Sequence, residues 1–282
     1  MGTFFLSILN TCLIGLSLVS CVSDSKKDSL KTPQAQAPNP NPIRPERDST
    51  DTTARVYLTF DDGPYTTTPG LMQLLAKKNI RSSFFIIGSQ IDKSSWHDSV
   101  YQVVASNENF KIYNHTYSHA VTRGRIHAYY RNPAGVWQDI LKNKSYLPAG
   151  MSITRLPGKN TWRTPRRTSR TDRQAAPLLN LLDTLNQPEF IVGWDFEWVS
   201  ATSENRADLD NLIRQVEQKL SNSSPGNRDV VVLSHDYLYR TPQSLQLLSD
   251  FIDHFQRKGN VKFDWVEHLP GLHTGAAKTK PS

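Results

Sequence analysis

From residue 55 to about 270, short apolar runs alternate with stretches whose apolar residues recur at helical spacing. The runs predict strands over 56–60, 83–87, 110–114, 151–156, 190–194, 229–234 and 261–264. Between them, a first helix starts at Thr68, with Pro69 in its opening turn and Leu71, Leu74 and Leu75 on one face. Further helices are predicted over 97–106, 175–185, 206–220 and 242–257. Seven strands interleaved with helices imply one parallel α/β domain over 55–270. In a barrel of that kind the residues just past the C-terminal strand ends share a pocket.

The flanks lack this pattern. Residues 1–20 carry no charge and hold an apolar run over 4–19, the length of a signal-peptide core. Leu18, Val19, Ser20 and Cys21 then resemble the cleavage box of bacterial lipoprotein precursors, although no Lys or Arg precedes the run. The expectation is an exported chain anchored in the bacterial cell envelope through lipid on Cys21; an uncleaved membrane anchor is the alternative. Cys12 would leave with the signal, so no disulfide and no cysteine-rich metal site is expected. Residues 21–54, rich in Pro, Ser, Asn and Gln, read as a disordered, fairly extended tether, and 271–282 as a flexible basic tail.

Charge adds a little. Lys and Arg number 33 against 26 Asp and Glu, a net +7. That suits anionic surroundings such as wall polymers or lipid headgroups, but no cluster is dense enough to imply nucleic acid.

The polar residues at the predicted strand ends carry the chemistry. Asp61 and Asp62 follow the first strand and precede Gly63 and Pro64, which end the ladder and free the backbone. Taken alone, that tetrapeptide also makes an ordinary turn. After the third strand, NHTYSH places His115 and His119 four apart, the spacing of a bidentate metal clamp on a helical turn. RLPG, with Arg155 and Gly158, follows the fourth strand, and Asn160, Trp162 and Arg163 come soon after. The fifth is followed by Asp195 and Glu197 between Trp194 and Trp198, and the sixth by His235 and Asp236. Two His and one Asp make a three-ligand site with an open position, and the remaining carboxylate and His supply a general base and acid.

In this order, TFDDGP, the helix at 68, SSFFIIG, NHTYSH, RLPG and LSHD resemble the polysaccharide deacetylase family, the NodB-homology or carbohydrate esterase 4 group, over about 56–263. The resemblance implies a distorted (β/α)7 barrel of NodB type and a hydrolase that removes N-acetyl groups from glycans. Asp62, His115 and His119 would hold a divalent metal, Zn2+ first, with Co2+, Ni2+, Mn2+ or Fe2+ also compatible with the donor set. Asp61, kept ionised by the metal and an arginine, would take a proton from the attacking water, and His235 would protonate the departing amine. Backbone N–H groups near Gly158 would stabilise the oxyanion.

Arg155 is the expected partner of the base, with Arg163 in the Arg163-Thr164-Pro165 register as the alternative. Glu197, or else Asp195, would support His235, since the family usually shows Asp immediately before the Trp. Lys111 and Tyr113 also stand where the family usually has an acid and a glycine. Tyr65, Gly158, Trp162, Arg163 and Trp198 are the substrate-binding candidates, and Trp194 and Tyr237 could also stack on sugars. The stretch 121–147 reads as a long loop over the pocket, either gripping substrate or adding surface. An N-acetylated glycan is the implied partner, peptidoglycan first, with chitin oligomers, exopolysaccharide and acetylated xylan as alternatives. A catalytically silent glycan-binding wall protein is the reading from another class.

Overall fold

The strand that ends at the paired aspartates, β1 (Ala54–Asp61), is buried along all eight residues, as a central strand of a parallel sheet covered on both faces must be. Side chains alternate along it. Val56, Leu58 and Phe60 enter an outer core beneath helices, whereas Tyr57 faces an inner core with Phe85, Tyr113, Val192 and Val231. Asp61 shares the inner parity of Tyr57 and Thr59, so it tops the inner column.

The computed structural model describes residues 51–120, 126–169, 172–198, 205–224 and 226–272. The signal segment, Cys21, nearly all of the tether and most of the tail lie outside the described residues. After β1 come α1 (Thr68–Lys77), β2 (Ser82–Ile86), α2 (Gly88–Ile91), α3 (Ser95–Ser106) and β3 (Phe110–Asn114). Next are α4 (Ile126–Tyr130), α5 (Pro133–Lys144), β4 (Ile153–Thr154), β5 (Trp162–Arg163), β6 (Thr168–Ser169) and α6 (Ala176–Thr184). The chain then forms β7 (Phe190–Ile191), β8 (Phe196–Glu197), α7 (Arg206–Asn222), β9 (Asp229–His235), α8 (Pro242–Lys258) and β10 (Val261–Phe263).

The sheet order is β6-β5-β7-β4-β3-β2-β1-β9-β8, with β10 pairing beside β1. From β7 to β8 the seven neighbours are parallel. Curled in this way, the α/β sheet places its C-terminal strand ends around one pocket. It departs from the expected sevenfold barrel in two respects. The run predicted over 261–264 does not extend the main path but packs on β1, and its place is taken by the two-residue β8. An antiparallel hairpin, β5–β6, occupies the far edge. The runs expected over 151–156 and 190–194 shorten to β4 and β7.

The helices form where caps and apolar stripes coincide. In α8, Thr241 and Ser244 make a reciprocal capping box, Gly259 closes the helix at φ 68°, and Leu247, Leu248, Phe251, Ile252 and Phe255 are buried in the outer core. The predicted long loop over 121–147 is instead largely α4 and α5. Asn132 caps α5, Pro133 opens it, and Val136, Trp137 and Ile140 form its buried face, a helical signal already present in the sequence. Among the described residues, no helix is long and apolar enough to cross a membrane.

Candidate active site

The site begins where β1 stops alternating. Asp61 points inward by strand parity, and Asp62, in the left-handed region at φ 76°, turns its carboxylate to the same side. Gly63 is required by a close approach: a Cβ there would lie 2.2 Å from Oδ2 of Asp236. Two hydrogen bonds tie this turn to the end of β9, and a third braces the turn itself. Thr68 donates its hydroxyl to Asp236 Oδ2 (2.6 Å), Thr67 donates to the Asp236 carbonyl (2.7 Å), and the Tyr65 N–H donates to Thr68 Oγ1 (2.8 Å).

Arg155 organises the pocket floor. Its guanidinium is fully buried and donates to Asp61 Oδ1 (2.8 Å), Thr59 Oγ1 (2.7 Å) and the carbonyls of Val192 (3.2 Å) and Gly193 (3.0 Å). Its flat face lies 4.1 Å from the centre of the Phe85 ring. Burial lowers its pKa, which the Asp61 charge opposes. One Asp61 oxygen is therefore held by a cation, and the other lies 3.7 Å from Nε2 of His115.

His115 and His119 converge on Asp62, with Nε2 atoms 3.2 and 2.9 Å from its Oδ1. His115 Nδ1 lies 2.9 Å from the Arg155 carbonyl. A carbonyl can only accept, so Nδ1 carries a proton, and in the neutral ring the lone pair on Nε2 then faces the carboxylate. Asp62 Oδ1 is buried without an aligned hydrogen bond. Lone pairs facing a carboxylate call for a cation between them. Ligand atoms of Asp62, His115 and His119 lie within 4.8 Å of one another, so the donor set fits a divalent metal, the other His115 nitrogen being braced as a metal-binding imidazole requires. Without the ion, burial works against charge on both partners. The two histidines nonetheless hold the Asp62 carboxyl below its ordinary range, and Asp61 and Asp62 raise the pKa of His115.

A second wall is formed by His235, in register with Asp61 on the neighbouring strand β9, with Tyr237 and Tyr65. The rings of His235 and Tyr237 are 5.2 Å apart, and Tyr65 meets Tyr237 edge-on at 5.9 Å. Burial, and then the Asp62 charge, pushes the Tyr65 phenol up to about 12, so it stays neutral. Glu197 pairs in register with Leu233 and so shares a face with His235, two residues further along β9. Asp195 is committed elsewhere: it accepts from Arg167 (2.9 Å) and from the Val231 N–H (2.9 Å). Among the described residues, neither carboxylate hydrogen-bonds to His235.

Three candidates, Arg163, Trp162 and Trp198, lie away from this pocket. Arg163 bonds Asp183 (2.8 Å), the Gln187 carbonyl (3.1 Å) and the Glu189 carbonyl, so it braces the loop before β7 and is not the partner of Asp61. Trp162 is 3% exposed and covered by Arg167, 3.8 Å from its ring centre. Trp198 is 2% exposed and packed on Tyr239 and Phe251. Burial leaves neither indole a face for a sugar. Gly158 is exposed at φ 60°, where a Cβ would meet Ile126 at 2.6 Å. Sequence reasoning gave no role to Thr59, Thr68, Asp139 or Asn143. The helical signal in 132–144 could have pointed to the last two.

Residues 48–175 match the family model described as polysaccharide deacetylase. Over that stretch the chain is similar to the polysaccharide deacetylase family. A Bacillus cereus peptidoglycan-N-acetylglucosamine deacetylase is 36% identical over 97 residues, 34% of either chain. A chitin deacetylase of Colletotrichum lindemuthianum is 36% identical over 67 residues, 23% of this chain and 26% of its own. The match thus spans about a third or less of these relatives' length. In three dimensions the chain resembles a peptidoglycan N-acetylglucosamine deacetylase crystallised with an N-oxidanyl-benzamide ligand. The TM-score is 0.50 at 26% identity, covering 77% of this chain and 88% of the other.

Proposed function

We propose that the chain is a metal-dependent deacetylase of N-acetylated cell-wall glycan, with peptidoglycan as the substrate. The observation that carries the reading is the convergence of Asp62, His115 and His119 beside an Asp61 clamped by Arg155. A divalent cation held by the first three, zinc by preference, would polarise an amide carbonyl and acidify water. Asp61 is oriented by Arg155 through Oδ1, which leaves Oδ2 to accept a proton from the attacking water. His235, in register with Asp61 on the neighbouring strand, would donate a proton to the departing sugar nitrogen. Tyr65 and Tyr237 form an apolar wall that suits a sugar ring, and backbone N–H groups near Gly158 would face the developing oxyanion.

The relatives named as peptidoglycan deacetylases support the choice of substrate, as does the predicted export with a lipid on Cys21, which would hold the domain at the envelope. The chitin deacetylase relative keeps chitin oligomers as the second substrate reading.

The test is acetate release from purified peptidoglycan by the zinc-loaded full-length chain beside Asp61→Asn, with products weighed by mass spectrometry. Expected are acetate and glycan lighter by one acetyl group per amide cut, with a loss of about 100-fold or more in the variant. Release that survives a chelator would refute the metal chemistry. Silence on wall fragments with turnover of chitin oligomers would move the substrate.

A further inference from the structure

We propose that Asp139, on α5, is a positioning residue that holds the turn over 116–120 in the shape that brings His119 onto Asp62. The inference rests on the metal reading above and adds to it a second layer from a helix with no assigned part in the chemistry.

The two histidines are held in different ways. His115 continues β3 and is locked through its own ring, Nδ1 to the Arg155 carbonyl. His119 lies beyond the strand, and among the described residues nothing hydrogen-bonds its Nδ1. Its aim therefore depends on the backbone that carries it. That backbone is unusual: Thr116, His119 and Ala120 take φ values of 64°, 51° and 59°. Non-glycine residues, and a β-branched threonine above all, keep such angles only where the surroundings over-determine them.

Asp139 supplies much of that determination. Both of its carboxylate oxygens accept from the Ser118 N–H (3.2 and 3.1 Å), and Oδ2 also accepts the Ser118 hydroxyl (2.8 Å). Its main-chain carbonyl accepts from the Tyr117 N–H (3.3 Å). Tyr129 of α4 donates to Oδ2 (2.9 Å) and so fixes the carboxylate from behind. One helical turn on, the fully buried Asn143 donates to Asn114 Oδ1 and to the Ile86 carbonyl, both at 2.9 Å. Asn114 Oδ1 in turn accepts from the Thr116 N–H (2.7 Å). Positions 139 and 143 are one turn apart on a helix, so a single face of α5 grips the turn at both ends.

The experiment is a zinc titration of the full-length chain against a chromophoric chelator, comparing wild type, Asp139→Ala, Asp139→Asn and the exposed control Gln138→Ala. Asp139→Ala should weaken zinc binding about 10- to 100-fold, the usual loss when a group behind a metal ligand is removed. Asp139→Asn keeps one acceptor oxygen and should fall between, and Gln138→Ala should match wild type. Excess zinc should restore deacetylation by Asp139→Ala, a rescue that a merely structural defect would not show. Zinc affinity within twofold of wild type in a folded Asp139→Ala chain would overturn the proposal. If Asp139→Ala does not fold, Asp139→Asn decides on the same criterion. A wild-type chain that binds no zinc removes the metal reading itself, a different failure from unchanged affinity in the variant.

Discussion

The two walls of the pocket are built to different standards. On one, Asp61, Asp62 and His115 are each 8% exposed or less, and Arg155 beneath them is fully buried and makes four hydrogen bonds. On the other, His235 is half-buried, Glu197 is exposed, and the contact of His235 is a neighbouring tyrosine ring. The first wall is set before any substrate arrives, as the proposed charge stabilisation and metal binding would require. The second stays open, as the proposed role of His235, protonating a leaving amine on a polymer, would need. In this site positional accuracy is concentrated where charge is highest.

The sharpest way to break the contrast is at Arg155. Arg155→Met keeps much of the side-chain volume but removes the cation, which leaves the buried Asp61 carboxylate without its ion pair. A loss of about 3–5 kcal/mol in urea unfolding is expected, the usual cost of taking one partner from a buried pair. A change under about 1 kcal/mol would mean that water already reaches Asp61 and that the wall is less closed than described.

A smaller effect should appear in the pH dependence of the metal-free protein. Asp236, wholly buried behind Gly63, has its carboxyl pushed up to about 7, chiefly by burial. A raised acid binds more protons folded than unfolded, so its contribution to stability falls as pH rises from about 4 to 7. His115 acts in the same sense: its raised pKa favours the folded state at low pH, and that contribution is lost as pH climbs through the folded value. Asp62 acts oppositely, but only in acid, because its carboxyl is held low. The midpoint of thermal unfolding should therefore decline between pH 5 and 8, and Asp236→Asn should flatten the decline whatever its absolute stability. An unchanged slope in that variant would remove Asp236 as a source.

The outline of both walls was readable from local sequence, and their support was not. Asp61, Asp62, His115 and His119 announce themselves because strand-ending Gly-Pro and a four-residue His spacing are short-range signals, and the fold clusters the last three, with Asp61 beside His115. Choosing between Arg155 and Arg163 required the fold, because both follow apolar runs and only the register of β4 against β3 and β7 turns Arg155 inward. Trp162 and Trp198 misled for a related reason: an indole near a strand end reads the same whether it faces a groove or the core. The clamp from α5 is hidden because 121–147 reads as one long loop, although Asn132, Pro133 and the spacing of Val136, Trp137 and Ile140 mark the helix.

The finest test of the contrast lies on the open wall. Glu197 shares a face with His235 but is exposed, and a carboxylate reaching an imidazole through water interacts weakly. His235→Ala should lower kcat about 100- to 10,000-fold, the range for removing a general acid. Glu197→Gln should lower it less than about tenfold with KM unchanged, because an exposed carboxylate without a hydrogen bond to the imidazole contributes on the order of 1 kcal/mol or less. A Glu197→Gln enzyme as impaired as His235→Ala would mean that substrate closes the open wall and brings the carboxylate onto the imidazole. The difference between the two walls would then belong to the free enzyme alone.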